Sequence, residues 1–207
     1  MSSASAKASS GEALLPRPGA LLKALRLRKG LTLAEVSERT GLPVPTLSKL
    51  ENDKISFSYD KLMQVSQGLK LDISELLSPE PSALPQIRAI GRRSVSRAGD
   101  GVTVHSGSYV YQHLGTDLLD KAFVPMVGEI RARSLEEFGE MIQHPGEEFV
   151  YVLKGALELH TRIYAPVLLD EGDSIYFDSD MDHAYISAGP GHCTVLSICS
   201  AARNRGD

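Results

Sequence analysis

Between residues 18 and 77 the apolar positions recur with helical spacing, and glycine, proline and capping residues divide them into about five short segments. None of these segments is long enough to be stable outside a packed bundle. The predicted helices run from about Gly19 to Lys29, Thr32 to Thr40, Pro43 to Asn52, Tyr59 to Gly68, and Ile73 to Leu77. The pattern therefore predicts a compact all-α domain over residues 17–77.

The second and third predicted helices carry clear end signals on either side of Gly41. Thr32 and Glu35 form a capping box, in which each side chain satisfies the backbone N–H of the other residue. Prolines 43 and 45 are tolerated in the first turn of the next helix, where backbone N–H groups lack intrahelical partners. A helix, a short turn and a second helix form the arrangement that places a protruding helix in the major groove of DNA.

Beyond residue 100 the pattern changes to the alternation of half-buried strands. Short runs such as Val102–His105 and Glu148–Gly155 are separated by turns rich in Gly, Asp and Pro. Many short strands at close spacing predict a sandwich or barrel over residues 101–202. The Pro-rich and Gly-containing residues 78–100 are predicted to be a linker. Residues 1–16, which are small and polar, are predicted to be a disordered tail.

The charge is divided unevenly between the predicted domains. The whole chain carries a net charge of −4, but residues 17–77 hold ten Lys/Arg against seven Asp/Glu and are net +3. The part after residue 77 is net −7. The basic part is therefore the small helical one. A composition of 42% hydrophobic and 23% charged residues excludes collagen, coiled coil and full disorder as classes for the whole chain.

The spacing of the two cysteines and the lack of a long apolar run both bear on the cellular compartment of the protein. Cys193 and Cys199 lie in one strand-like run, about 20 Å apart at the rise of a strand, so they cannot bridge each other within it. No apolar stretch approaches the roughly 20 residues of a membrane span, and Met1–Gly11 lacks the apolar segment of a signal peptide. The sequence thus predicts a cytoplasmic protein without a membrane partner.

Residues 31–54, followed by residues 62–77, resemble the DNA-binding domain of the XRE family of repressors. The resemblance implies that Thr32 binds a phosphate at the N-terminus of the second helix. It implies DNA contacts from the third helix, with base edges facing Val44, Pro45, Thr46 and Lys49 and the sugar-phosphate backbone reached by Asn52 and Lys54. The alternative is a generic five-helix bundle whose basic residues form a solvated face.

A single domain of net charge +3 neutralises few phosphates, so we expect a homodimer that reads two half-sites about one helical turn apart. The arginines of the predicted linker either add phosphate contacts or form a solvated run; they are Arg88, Arg92, Arg93 and Arg97.

The predicted β region contains two motifs, one from His144 through Glu148 to Gly155 and one from Gly172 to His183. Together they resemble the two motifs of the cupin superfamily, whose members are small double-stranded β-helix barrels with a metal or ligand pocket inside. The resemblance therefore implies an all-β cupin barrel behind the all-α helix-turn-helix bundle.

The positions that match the cupin metal ligands are Ile142, His144, Glu148 and His183, so the first ligand histidine is replaced by isoleucine. Two imidazoles and one carboxylate still suffice to bind Zn, Fe or Ni with open positions. The second motif also departs from the family pattern, with Asp178 and Asp180 where Pro and Gly are usual. The alternative is that His144 and His183 line a pocket that holds no metal.

Strand alternation extends the predicted pocket. If Glu148 points inward, so do Val150 and Val152, and His183 shares its side with Tyr185. Arg131 at an inward position would favour an anionic effector. The candidate ligand-binding residues are Tyr109, Tyr111, Arg131, His144, Glu148, His183 and Tyr185.

The predicted function is a transcriptional regulator, either a repressor or an activator, that binds a double-stranded DNA operator under the control of a small-molecule effector in the barrel. This hypothesis needs no catalytic residue. The rival is a non-haem iron cupin oxygenase or epoxidase carrying an XRE-like domain. A third hypothesis is a repressor that responds to the metal itself.

Overall fold

The structure is a computed structural model that describes residues 17–77 and 91–200. The predicted tail, residues 78–90 of the predicted linker and the last two residues of the predicted barrel domain lie outside these ranges. The predicted domain limits that fall there stay predictions.

The helical region consists of five helices within residues 17–77: α1 (Pro18–Arg28), α2 (Leu33–Thr40), α3 (Val44–Glu51), α4 (Tyr59–Leu69) and α5 (Ile73–Leu77). The predicted all-α bundle is confirmed. We call residues 17–77 the helical domain. Its core includes Val36, Leu47 and Leu50, which are all fully buried.

Both ends of α2 form as the sequence predicts. The Glu35 N–H donates to the Thr32 hydroxyl at 3.2 Å, and the Thr32 N–H donates to the Glu35 carboxylate at 2.7 Å, which completes the capping box. Gly41 ends the helix in the left-handed conformation, with φ of 75°, a region that a side chain disfavours. These two caps fix the turn that sends the chain into α3.

An ion pair joins the first helix to the end of the third. The Arg26 guanidinium donates to both oxygens of Glu51, at 2.6 and 2.8 Å, and to the Leu31 carbonyl at 2.9 Å. The Glu51 side chain is only 3% exposed. This pairing satisfies a carboxylate that is buried at the C-terminal end of α3.

The packing of α4 against α2 depends on the absence of a side chain at Gly68. A Cβ there would lie 2.5 Å from the Arg39 carbonyl oxygen, a backbone atom that cannot turn aside. We therefore expect Gly68→Ala to lower the free energy of unfolding by about 1–3 kcal/mol, measured by chemical denaturation. The control is Gly107→Ala, where no atom lies within 4 Å of the added Cβ. Equal stability of the two variants would contradict the close approach.

The β region contains nine strands and a short helix among the described residues. They are β1 (Val102–His105), β2 (Tyr109–His113), β3 (Phe123–Ile130), α6 (Leu135–Phe138), β4 (Glu147–Lys154), β5 (Leu157–Thr161), β6 (Val167–Leu169), β7 (Ser174–Asp178), β8 (His183–Ser187) and β9 (Cys193–Ser200). The sequence pattern missed β6 and α6, and it identified β8 only through the position of His183 in the second motif. All five residues of β8 are buried, so it lacks the alternation that reveals a half-buried strand.

The strands form two antiparallel sheets, one of order β1-β2-β3-β9-β4-β7 and one of order β6-β5-β8. Side chains from both sheets meet inside, where the His183 ring of β8 lies 5.1 Å from the Phe177 ring of β7. Ile142 and His183 exchange two backbone hydrogen bonds of 2.9 Å and connect the sheets at one end. We call this closed two-sheet structure the barrel.

Two further facts bear on the sequence predictions. Cys193 and Cys199 are both buried and free, on the inward face of β9. Within the described ranges, the helices are all too short or too polar to cross a bilayer.

Candidate DNA-reading helix and barrel site

The helix α3 presents an exposed face opposite its buried one. Val44, Pro45 and Lys49 are exposed, and Thr46 is half-buried, whereas Leu47 faces the core. At the end of the helix, the exposed Asn52 side chain donates to the Ser48 carbonyl at 2.7 Å, and Lys54 is also exposed. The structure thus places the six predicted contact residues of this segment on accessible surface, and their contacts to DNA stay predictions.

The predicted phosphate site at the start of α2 is already partnered. The Thr32 hydroxyl donates to the Glu35 carboxylate at 2.8 Å, and its hydrogen bonds hold the pKa of Glu35 below its usual value. A negative charge therefore sits where the phosphate contact of Thr32 was expected. A DNA phosphate bound at the start of α2 would have to lie beside the Glu35 carboxylate or displace it.

The described arginines of the predicted linker differ from one another. The Arg92 guanidinium donates to the backbone carbonyls of Leu119 and Asp120, so it attaches this segment to a barrel loop. Arg93 and Arg97 are exposed. Arg88 lies outside the described residues.

The three predicted metal ligands come together inside the barrel. The His144 Nε2 lies 3.2 Å from Glu148 Oε2, and the His183 Nε2 lies 3.7 Å from the same oxygen. The two histidine rings are 5.4 Å apart, and the three side chains are at most 2% exposed. Ile142, at the fourth family position, is buried and offers no donor atom.

Local hydrogen bonds hold the two motifs against each other. The His144 N–H donates to the Ser179 carbonyl, and the Ser179 N–H donates to the Gly146 carbonyl, each at 2.9 Å. The turn containing Asp178 and Asp180 is thereby closed onto the turn before Glu148. The departure of this turn from the family pattern does not displace His183 from the site.

The hydrogen bonds of His183 resemble those of a metal-binding imidazole. Its Nδ1 lies 2.8 Å from the Met181 carbonyl, which can only accept, so Nδ1 carries a proton; in the neutral ring Nε2 then presents its lone pair toward Glu148. Burial lowers the pKa of His183, which favours this neutral form. The Ser197 hydroxyl donates to Glu148 Oε1 at 2.5 Å and orients the carboxylate. These residues fit a divalent metal ion.

A fourth donor, Cys199, was missed by the sequence analysis. Its sulfur and donor atoms of His144 and Glu148 lie within 4.8 Å of one another. Cys199 is the direct neighbour of Glu148 across the β4–β9 pair, and burial raises the pKa of its thiol. The sequence shows that Cys193 and Cys199 are six residues apart and so share one face of a strand. It does not show that this strand pairs with β4. His183 lies outside this group of three and approaches it through Glu148, at 3.7 Å. We call His144, Glu148, His183 and Cys199 the donor cluster.

The predicted pocket tyrosines are buried around this cluster. Tyr109, Tyr111 and Tyr185 are at most 3% exposed, and the Tyr185 ring lies 5.5 Å from that of His183. The sequence analysis missed His113, which is 1% exposed and whose pKa burial lowers to about 3. This histidine is therefore neutral at ordinary pH.

The prediction that Arg131 faces the pocket is wrong. Along β3 the inward positions include Met126 and Ile130, so residue 131 falls on the other face. The Arg131 side chain is 45% exposed and pairs with Glu129 at 2.6 Å. It gives no support for an anionic effector.

Several polar atoms in the barrel are buried without a hydrogen-bond partner among the described residues. They are Tyr59 Oη, His113 Nδ1, His144 Nδ1, Ser179 Oγ, His183 Nε2 and Tyr185 Oη. Since buried polar groups are nearly always hydrogen-bonded, these atoms are the ones that a bound ion, small molecule or water would contact.

Comparisons with known proteins agree with this two-part organisation. A helix-turn-helix family matches residues 22–76, and a cupin domain family matches residues 135–199. The HTH-type transcriptional regulator PuuR of Escherichia coli K12 is 27% identical over 184 residues, covering 87% of this chain and 92% of the relative. SutR, an HTH-type transcriptional regulator of the same organism, is 24% identical over 81% of this chain and 85% of its own.

Among solved structures, an HTH_3 family transcriptional regulator from Vibrio cholerae matches with a TM-score of 0.59 and 20% identity, over 89% of this chain and 95% of that chain. Hydroxypropylphosphonic acid epoxidase from S. wedmorenis also matches, at 20% identity over 88% of this chain and 96% of that chain. Its TM-score of 0.44 is too low to carry an argument about activity. The regulator hypothesis therefore fits the relatives better than the oxygenase hypothesis does. The chain is an XRE-type helix-turn-helix domain joined to a C-terminal cupin domain, homologous to the HTH-type transcriptional regulators PuuR and SutR.

Proposed function

We propose that this protein is a sequence-specific DNA-binding transcriptional regulator whose affinity for its operator is controlled by an effector in the barrel. The observation that carries the proposal is that one chain joins an exposed helix, α3, to a barrel whose interior holds polar atoms that are buried without partners among the described residues. The regulator relatives support the same function without an enzymatic step. The protein acts in the cytoplasm, where its DNA lies, and as a homodimer on two half-sites.

The effector site is the donor cluster together with the tyrosines around it. His144, Glu148 and His183 would hold a divalent ion, and Cys199 lies close enough to add a thiolate. Nitrogen, oxygen and sulfur donors suit Zn(II), Fe(II) or Ni(II). Such an ion would supply a positive centre to which the oxygen or nitrogen atoms of a small molecule can bind. In the absence of a metal, the same side chains would hydrogen-bond an organic effector directly.

Lys49→Ala tests the DNA-reading role of α3. We expect about tenfold weaker binding to duplex DNA from the protein's own upstream region and a salt slope lower by about one, because one cationic contact is lost. Fluorescence anisotropy at several salt concentrations measures both quantities. Lys154→Ala, which removes the same charge from an exposed barrel position, is the control and should bind like the wild type. Wild-type protein that shows no salt-sensitive binding to any duplex would overturn the proposed function.

A further inference from the structure

The side chain of Tyr59 extends from the helical domain into the barrel. It is the first residue of α4, yet its side chain is buried, with only 3% of the residue exposed. Its ring lies edge-on to His144 at 4.8 Å and stacks near His113 at 6.1 Å. A residue of the DNA-binding half therefore forms part of the wall of the barrel site.

The hydroxyl of Tyr59 is directed at the donor cluster. Cys199 and Glu148, two members of the donor cluster, are among the groups around this hydroxyl. The oxygen has no hydrogen-bond partner among the described residues, although it is fully buried. A buried hydroxyl next to metal-binding side chains and without a partner is suited to contact whatever occupies the cluster.

Two further sets of contacts hold α4 in this position. The Tyr59 N–H donates to the hydroxyl of Tyr109 on β2 at 3.3 Å. Beyond the other end of α4, Asp72 accepts from the Asp120 N–H at 2.8 Å, and Lys121 donates to the Ser74 hydroxyl at 2.6 Å. The N-terminus of α4 is therefore attached to the barrel at the pocket, and the segment that follows α4 is attached at Asp72 and at Ser74 of α5.

A crevice between the two domains leads toward the same region. Its volume is about 540 Å³; Tyr109, Phe138 and Ile142 line one side, and the other side is lined by Ile55, Ser56, Ser58, Asp60 and Lys61. Because Ile142 pairs with His183, this crevice borders the wall of the site. An occupant of this crevice would contact Ser58 and Asp60, the neighbours of Tyr59 in the chain, as well as the barrel, whereas Tyr59 itself does not line the crevice.

We propose that the Tyr59 hydroxyl is a binding group of the barrel site, so that a divalent metal ion held by His144, Glu148 and His183 also engages Tyr59 and fastens α4 to the barrel. The helix α3 belongs to the same packed bundle as α4, since Leu50 and Leu62 share its core. Fastening α4 therefore fixes the direction of α3 relative to the barrel. This inference rests on the proposed function in that α3 is taken to be the DNA-reading helix.

The test uses the full chain under reducing conditions, with Co(II) and Zn(II) as the probes. In the wild type, we expect metal to slow hydrogen–deuterium exchange both in the barrel segment 144–152 and in α4. In Tyr59→Phe, the barrel segment should remain protected by metal, the protection of α4 should be lost, and the metal affinity should fall about tenfold through loss of one contact to the ion. Tyr164→Phe, at an exposed tyrosine, is the matched control and should behave like the wild type.

Several results would overturn the assignment of Tyr59. They are wild-type protein that binds neither ion, metal that protects the barrel but not α4, or equal protection of α4 in the wild type and in Tyr59→Phe. The second of these results comes from the wild type alone, so it does not depend on the folding of the variant. DNA binding is measured separately by anisotropy, and its failure would remove the regulatory role while leaving the exchange result standing.

Discussion

Replacement of Arg26 by alanine is expected to lower the free energy of unfolding of the helical domain by about 3–5 kcal/mol. The reason is the carboxylate of Glu51, which is 3% exposed and takes both of its side-chain hydrogen bonds from Arg26. Once Arg26 is lost, that charge stays buried without a partner or must be exposed by disrupting the end of α3. Urea denaturation followed by far-UV circular dichroism, which is dominated by the helices, measures the loss.

Two variants separate the ion pair from general effects of the substitution. Arg28→Ala removes an exposed arginine of the same helix and should change the stability by less than about 0.5 kcal/mol. The double variant Arg26→Met with Glu51→Leu replaces both partners by apolar groups and should recover most of the stability. If Arg26→Ala is as stable as Arg28→Ala, the pair does not stabilise the domain, and our account of the end of α3 fails.

Glu148→Gln is expected to weaken the binding of Zn(II) or Co(II) by at least about 100-fold, since even residues that only orient a ligand change metal affinity 10- to 100-fold. The carboxylate lies between the two histidines, at 3.2 and 3.7 Å from their nitrogens, and is the charged member of the site. The amide keeps the shape of the side chain and can still accept from Ser197. Competition with a chromophoric chelator measures the affinity.

The neighbouring residue provides the matched control for this experiment. Glu147 lies on the same strand with its side chain exposed, so Glu147→Gln removes the same charge without touching the site. It should bind metal like the wild type. Equal metal affinity in Glu148→Gln and the wild type would mean that Glu148 is not a metal ligand, and it would contradict the proposed site.

The parts of the structure that local sequence patterns govern were predictable. The helix limits came within about two residues because capping boxes, prolines and Gly41 act on their immediate neighbours. Val150 and Val152 were correctly placed inside with Glu148, because alternation along one strand needs only one known position. The metal-site histidines were found only through the resemblance to the cupin motifs.

The errors and omissions involve contacts between segments that are distant in the chain. Arg131 was assigned to the wrong face because a shift of one residue reverses every side chain of a strand. Cys199 lies 51 positions after its strand partner Glu148, and Tyr59 lies 85 positions before His144. No periodicity within a single element records which distant element will lie beside it, so these contacts required the three-dimensional structure.

The position of β9 in its sheet has a consequence for the order in which the protein forms during synthesis. This strand pairs with both β3 and β4 along nearly its whole length, although it is the final strand of the described chain. The larger sheet therefore cannot assemble until residues 193–200 have left the ribosome. The helices of residues 17–77 make mostly local contacts and can fold well before that point. In a nascent chain the helical domain can thus fold first, and the Tyr59 side chain stays exposed to solvent until β9 completes the barrel around it.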